Sequence, residues 1–252
     1  LLGQNVNAWK DDANESKAFT LGHLIEEIAK IDEILSIRYT TSHPLDMDLE
    51  LIKAHKNVDK LMPYLHLPIQ SGSDNILKKM NRKHTASEYL KIIELVKKYC
   101  EDIAISSDFI VGHPGETNED HKKTLDIINE VQFASSYSFM YSERPGTKSS
   151  EFGETVDEKI KKIRLHQIQS KLNHFQLAFN KNMEGLEFPI LITDKNKNNQ
   201  FLGRSPYNQT VYINEENLPS KKNHEKLIGS MSNVKIIKSN QNSLLGSFTK
   251  NA

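Results

Sequence analysis

Gly112 and Gly115 bracket His113 and Pro114 directly after the apolar run Phe109, Ile110 and Val111. A strand that ends in bare backbone lets a flat ligand lie against main-chain donors and acceptors, and proline fixes the turn without needing a partner for an N–H. The same stretch is equally an ordinary strand-to-helix turn. Three other stretches strengthen the first reading. "HLPIQSGS" closes with Gln70, Ser71, Gly72 and Ser73; "YSERPGT" carries Tyr141, Ser142, Glu143 and Arg144; "LLGQNVN" carries Gln4, Asn5 and Asn7. Gathered at one mouth, these amides, hydroxyls and one guanidinium suit a zwitterionic, ribose-bearing ligand whose carboxylate Arg144 would grip.

Other chemistries have no residues here. The sequence holds no nucleophile elbow, P-loop, HExxH or glycine-rich dinucleotide fingerprint. His43, His66 and His113 fall near strand ends, where structural or pocket-lining roles are commoner than ligation. The single cysteine, Cys100, excludes an internal disulfide and cannot by itself hold zinc or an iron-sulfur cluster. Its place in the series Tyr89, Ile93, Val96, Cys100 predicts a core position on a helix.

The elements that must position these residues alternate. Strands are expected at Leu1–Leu2, 34–39, 64–69, 103–111 and 133–141, with helices at 19–31, 46–56, 117–131 and two between 70 and 102, the second opened by a Thr85–Glu88 capping box. This is a parallel α/β pattern. A barrel-like or open parallel sheet places the ligand at the C-terminal strand ends; a doubly wound sheet would use a switch-point crevice. A long helix from Val156 stops at Gly185. Beyond it, "FPILIT", "TVYIN", "NVKIIK" and "SLLGSF" predict a small all-β barrel, so two domains are expected, 1–185 and 186–252.

The 33 basic and 33 acidic residues cancel, but residues 186–252 carry a balance of +4 and residues 1–185 one of −4. In the C-terminal part Lys195, Lys197, Arg204, Lys221 and Lys222 could meet phosphates while Phe201, Tyr207 or Tyr212 stacks on a base; the other reading is solubilising lysines and core aromatics. No stretch is long and apolar enough to cross a bilayer, and nothing resembles a signal peptide, so the chain reads as soluble and cytoplasmic.

"RYTTSHP" (38–44), "HLPIQSGSDNILKKMNRKHT" (66–85), "SSDFIVGHPGET" (106–117) and "YSERPGTKSS" (141–150) resemble, in order, the strand-end motifs of the radical SAM methylthiotransferases, most of all the branch acting on isopentenylated tRNA adenosine. The resemblance implies a partial radical SAM barrel followed by a TRAM-like RNA-binding barrel. It implies S-adenosylmethionine and two 4Fe-4S clusters in the full-length protein, the anticodon stem-loop of tRNA as partner, and transfer of a methylthio group to C2 of adenine. By position, Ile110, Val111 and Gly112 would face the cofactor's adenine. Gln70 and Ser71 would reach ribose or the methionine end, Gln4 and Asn5 the methionyl amine, and Arg144 the mouth. The RNA-binding set would be Lys195, Lys197, Phe201, Arg204 and Tyr207. Two departures stand out: His113 occupies a usual Phe position, and both cysteine sets of the family are missing. The chain is therefore expected to be the C-terminal part of such an enzyme, inactive alone, with no catalytic or metal-binding residue of its own and with the missing N-terminal portion as its partner.

Overall fold

The computed structural model describes residues 1–11, 19–143, 146, 152–153, 155–214 and 227–249. The chain divides into two compact units, one of Leu1–Leu61 with Leu65–Asn173, the other of Met62–Tyr64 with His174–Ala252. Each is described on its own.

The first unit is built from a short antiparallel pair, β1 (Lys10–Asp11) and β2 (Phe19–Thr20), then α1 (Leu21–Ala29), α2 (Leu49–Asn57), most of β3 (Tyr64–His66), α3 (Asp74–Lys79), α4 (Ala86–Tyr99), β4 (Ala104–Val111), α5 (Asn118–Val131), β5 (Ser135–Met140) and most of α6 (Glu158–Lys181). Helix starts are written locally. Thr85 accepts from the Glu88 amide at 3.2 Å while Glu88 accepts from the Thr85 amide at 2.8 Å. Thr117 and Asp120 make the same reciprocal pair at α5, and Asp48 caps α2 through the Leu51 amide at 2.7 Å.

The sheet runs in the order β3-β4-β5, with β4 and β5 parallel from Ser106–Ser135 to Val111–Met140. Two single bridges extend it, Gln70 to Phe109 and Ile37 to Leu61, both parallel. The segments expected as strands at Leu1–Leu2 and 34–39 are thus lighter than the sequence suggests. Leu1 donates its terminal amine to the Arg38 carbonyl and accepts from Thr40, and Ile37 makes one bridge, so the chain is extended there without a ladder. Cys100 is also corrected: it caps α4 and is half-buried, because the chain leaves the helix just where the apolar stripe would reach it.

In the second unit, β6 (Glu187–Lys195), β7 (Gln200–Arg204), β8 (Thr210–Asn214), β9 (Met231–Ser239) and β10 (Ser243–Phe248) close a barrel in the order β10-β8-β7-β6-β9. Ile190, Ile192, Phe201, Val211, Ile213, Val234, Ile236 and Leu244 fill it with no exposed surface. Gly203 and Gly246 sit where a Cβ would come within 2.3 Å of Ile190 and Val234 side-chain carbons. Glycine there lets the wall close over a filled centre.

Among the described residues no helix is long and apolar enough to cross a membrane.

Candidate active site at the strand ends

Alternation along β4 separates two faces. Phe109 and Val111 are fully buried, while Asp108 and Ile110 are half-buried on the other face, in register with Tyr137 and Phe139 of β5. Those two rings are 63% and 54% exposed, so this side of the sheet is open. Ile110 lies on the open face. Val111 does not: its side chain packs into the core, and only its backbone is at the strand end, where its carbonyl accepts from Tyr141 at 2.8 Å.

Gly112 has φ +71, which a side chain would strain, and its N–H donates to Glu116 Oε2 at 2.7 Å. The same carboxylate oxygen takes Arg164 Nη1 at 2.7 Å, and that guanidinium also reaches the Glu116 carbonyl at 3.0 Å and Asn118 Oδ1 at 2.8 Å. Burial pushes the Glu116 carboxyl above its ordinary range, although Gly112 and Arg164 both pull it back. What approaches Gly112 closely is the aliphatic stem of Lys161, whose Cγ lies 2.3 Å from where a Cβ would sit.

The Gln70–Ser73 end is docked on α5. Gln70 adopts φ 74, a left-handed conformation, while its amide donates to Asp108 and its carbonyl accepts from Ile110, both at 2.9 Å. Ser71 has no exposed surface, and its Oγ contacts Thr124 Oγ1 at 3.3 Å and accepts from the Ser73 amide at 3.2 Å. Its hydroxyl holds the loop to the helix. Ser73 donates to Asp120 Oδ1 at 2.5 Å. Burial alone would raise the Asp120 carboxyl, but hydrogen bonds from Ser73, Thr117 and Asn75 hold it below its usual range.

Gln4 is exposed, and Asn5, also exposed, donates to Asp46 Oδ2 at 2.7 Å. Asn7 is the buried member of that stretch: it donates to the His43 carbonyl at 2.9 Å and accepts from the His43 amide at 2.8 Å. Arg144 falls outside the described residues.

Arg82 and His84 were not singled out by the strand-end reading, although "NRKHT" puts both just after α3, past the left-handed Asn81 (φ 58). His84 is 2% exposed and packs edge-on against His43, ring centroids 5.5 Å apart. Arg82 lies within electrostatic reach of both histidines and of Asp108. Asp108 in turn stands 3.6 Å from His66 Nε2.

In the barrel, Lys197 and Arg204 are exposed and Lys195 half-buried. Arg204 Nη1 donates to Thr210 Oγ1 at 3.0 Å, which holds the guanidinium along the strand. Phe201 is corrected: it is a core residue with no exposed surface, because β7 turns it inward, and Lys195 Nζ lies 5.3 Å from its ring centre. A buried ring has no free face for a base. Tyr207 is half-buried between Phe179 and Phe188, edge-on to both, and Tyr212 is half-buried on β8. Lys221 and Lys222 lie outside the described residues.

The radical SAM superfamily model matches residues 17–128, and the TRAM domain model matches 181–249. The tRNA-2-methylthio-N(6)-dimethylallyladenosine synthase of Ehrlichia canis is 50% identical over 98% of this chain and 55% of its own length. That of Wolbachia pipientis subsp. Culex pipiens is 47% identical over 98% of this chain and 54% of its own. The chain is thus similar to these methylthio-adenosine synthases along nearly its whole length, with a radical SAM match followed by a TRAM match. The chain spans about half the length of the curated relatives it matches. Among solved structures, coproporphyrinogen III oxidase (HemN) from Escherichia coli, a radical SAM enzyme, aligns over 89% of this chain and 54% of its own, at a TM-score of 0.47 and 11% identity, too distant to bear on the site.

Radical SAM chemistry calls for an iron-sulfur cluster, and the residues present do not fit one. Cysteine thiolates hold such clusters, and the sequence has one cysteine. Cys100 is half-buried, and burial raises its thiol away from the reactive thiolate. Among the described residues no three His, Cys, Asp or Glu side chains are grouped to hold a metal.

Proposed function

We propose that this chain provides the cofactor-mouth and RNA-binding parts of a cytoplasmic tRNA methylthiotransferase that places a methylthio group on C2 of N6-isopentenyladenosine beside the anticodon. The observation that carries the reading is the identity of about half the residues across nearly the whole chain to synthases named for that product. Ile110 on the open face of β4, beside the left-handed strand ends Gln70 and Gly112, would hold S-adenosylmethionine. In a complete enzyme that cofactor, given one electron from an iron-sulfur cluster that these residues do not hold, would supply the radical that removes hydrogen from the base. The chain's own residues would position the adenosyl group and keep Gly112 in its turn through Glu116 and Arg164. Lys195, Lys197 and Arg204, with Tyr207 or Tyr212, would meet tRNA on the barrel.

Deleting the gene and quantifying modified nucleosides in bulk tRNA by mass spectrometry tests the activity. Loss of 2-methylthio-N6-isopentenyladenosine with accumulation of N6-isopentenyladenosine is expected; an unchanged profile overturns the reading, and loss of a threonylcarbamoyl derivative instead would assign a different substrate.

The lone cysteine favours a second reading for residues 1–252 taken alone, namely RNA binding without turnover. Anaerobic reconstitution with iron and sulfide should then give no stoichiometric 4Fe-4S absorbance and no 5′-deoxyadenosine, while tRNA binding persists. A stable cluster on residues 1–252 would sink it.

A further inference from the structure

Three buried polar atoms without a hydrogen-bond partner occur in two loops near the strand ends: Ser42 Oγ and both ring nitrogens of His84. Buried groups of this kind are almost always satisfied, so each such atom needs a reason. They differ from the other orphans of the unit in company. His43, next to Ser42, packs on the His84 ring, and its backbone is fixed on both sides by Asn7. The Ile69 carbonyl influences His84 without reaching hydrogen-bond geometry. Thr41, preceding Ser42, is held at φ 70, a strained conformation for a branched residue.

A cation completes the group. Arg82 is only half-exposed, and among the described residues its guanidinium makes no hydrogen bond and no ion pair, although it senses Asp108, His43 and His84. Five fixed donors on a guanidinium match two oxygens of one anion. A neutral histidine adds one N–H and a serine one O–H.

We propose that Arg82, His84 and Ser42, backed by His43, form an oxyanion site at the strand-end mouth, and that it takes a backbone phosphate of the RNA whose base is modified. This rests on the function proposed above for the choice of RNA. The other possible source of the oxyanion, the carboxylate of S-adenosylmethionine, is separated from it by the binding measurements below. Asp108, paired with His66, lies on the edge of the site and disfavours a second anion beside the first. A single phosphate oxygen pair therefore fits better than a polyphosphate.

Two measurements on the 252-residue protein test this. Inorganic phosphate, titrated while the histidine ring protons are followed by NMR, should shift the His84 and His43 signals saturably. The shift should vanish in Arg82→Ala and persist in part in Arg82→Lys, with far-UV circular dichroism and the melting midpoint showing that both variants fold. Phosphate that leaves these signals unmoved in the wild type overturns the site whatever the RNA result. Binding of an anticodon stem-loop, measured against salt, should weaken roughly three- to tenfold in Arg82→Ala, with the slope of log K against log salt falling by about one. If the wild type binds no stem-loop, the proposed function fails and the phosphate titration still decides the site. If Arg82→Ala weakens S-adenosylmethionine binding and leaves the stem-loop slope unchanged, the RNA assignment is overturned.

Discussion

Arg164 and Glu116 form an ion pair at 2.7 Å with side chains 6% and 1% exposed, and the carboxylate oxygen they share also accepts the Gly112 amide. One carboxyl group therefore ties the β4 turn to α6. Removing the guanidinium would leave a buried acid with one backbone donor. Arg164→Ala should lose about 3–5 kcal/mol of unfolding free energy, the scale for breaking a buried pair from one side. Urea unfolding measures it; a loss under 1 kcal/mol would mean the pair is not buried in solution. In that variant the Glu116 carboxyl should rise further.

Histidines give the first unit an acid sensitivity. Burial lowers His84 to about 4, helped by His43 and Arg82, and burial likewise lowers His43, His113 and His121. A base whose folded pKa lies below its unfolded value takes up its proton more readily when unfolded. For His84 the resulting loss of stability begins as pH falls through about 6.5 and is complete near 4. Denaturation midpoints at pH 7.5, 6 and 5 should fall in that order, and less steeply in His84→Phe. An identical pH dependence in the variant would remove His84 from the account.

Gly72 packs on α5, where an added Cβ would come within 2.4 Å of the Lys123 carbonyl oxygen and 2.7 Å of Thr124 Cα. Backbone cannot step aside as a side-chain end can. Gly72→Ala should therefore destabilise by about 3 kcal/mol or more, whereas Gly3→Ala, with no left-handed φ to strain, would meet only Val6, no nearer than 3.7 Å. Thermal melts of the two variants compare them directly.

Barrel and RNA can be separated by mutation. Phe201→Ala empties the centre of the barrel and should cost about 3–5 kcal/mol. Replacing Lys195, Lys197 and Arg204 by Ala should leave the melt nearly unchanged and lower tRNA affinity with a flatter salt dependence. Equal affinity in the triple variant would assign these cations to solubility alone.

Much of this was legible in the sequence where a local rule is strong. The Thr85–Glu88 capping box, the helix start at Thr117 and the apolar run into Gly112 mark elements within a residue or two of their positions. What failed depends on partners far along the chain. "QFLGR" has only two apolar residues and did not read as a strand, yet pairing on both sides with β6 and β8 makes it one and turns Phe201 inward. Ser71 and Val111 sit at strand ends, but which way a side chain points there is set by α5 and the sheet. Arg82 and His84 were passed over because an Arg and a His two residues apart on a loop are unremarkable until folding brings His43 and Ser42 alongside.

The last strand, β10, pairs antiparallel with β9 and parallel with β8, so it is the one strand that joins the two ends of the β8-β7-β6-β9 ribbon. A parallel partner cannot be reached by a hairpin, and the barrel's final closure must wait for residues 243–248. During synthesis on the ribosome this unit would stay an open ribbon until residues 243–248 have been translated and have cleared the exit tunnel. A premature stop or a clipped tail would leave two bare hydrogen-bonding edges, an invitation to pair with strands of other molecules.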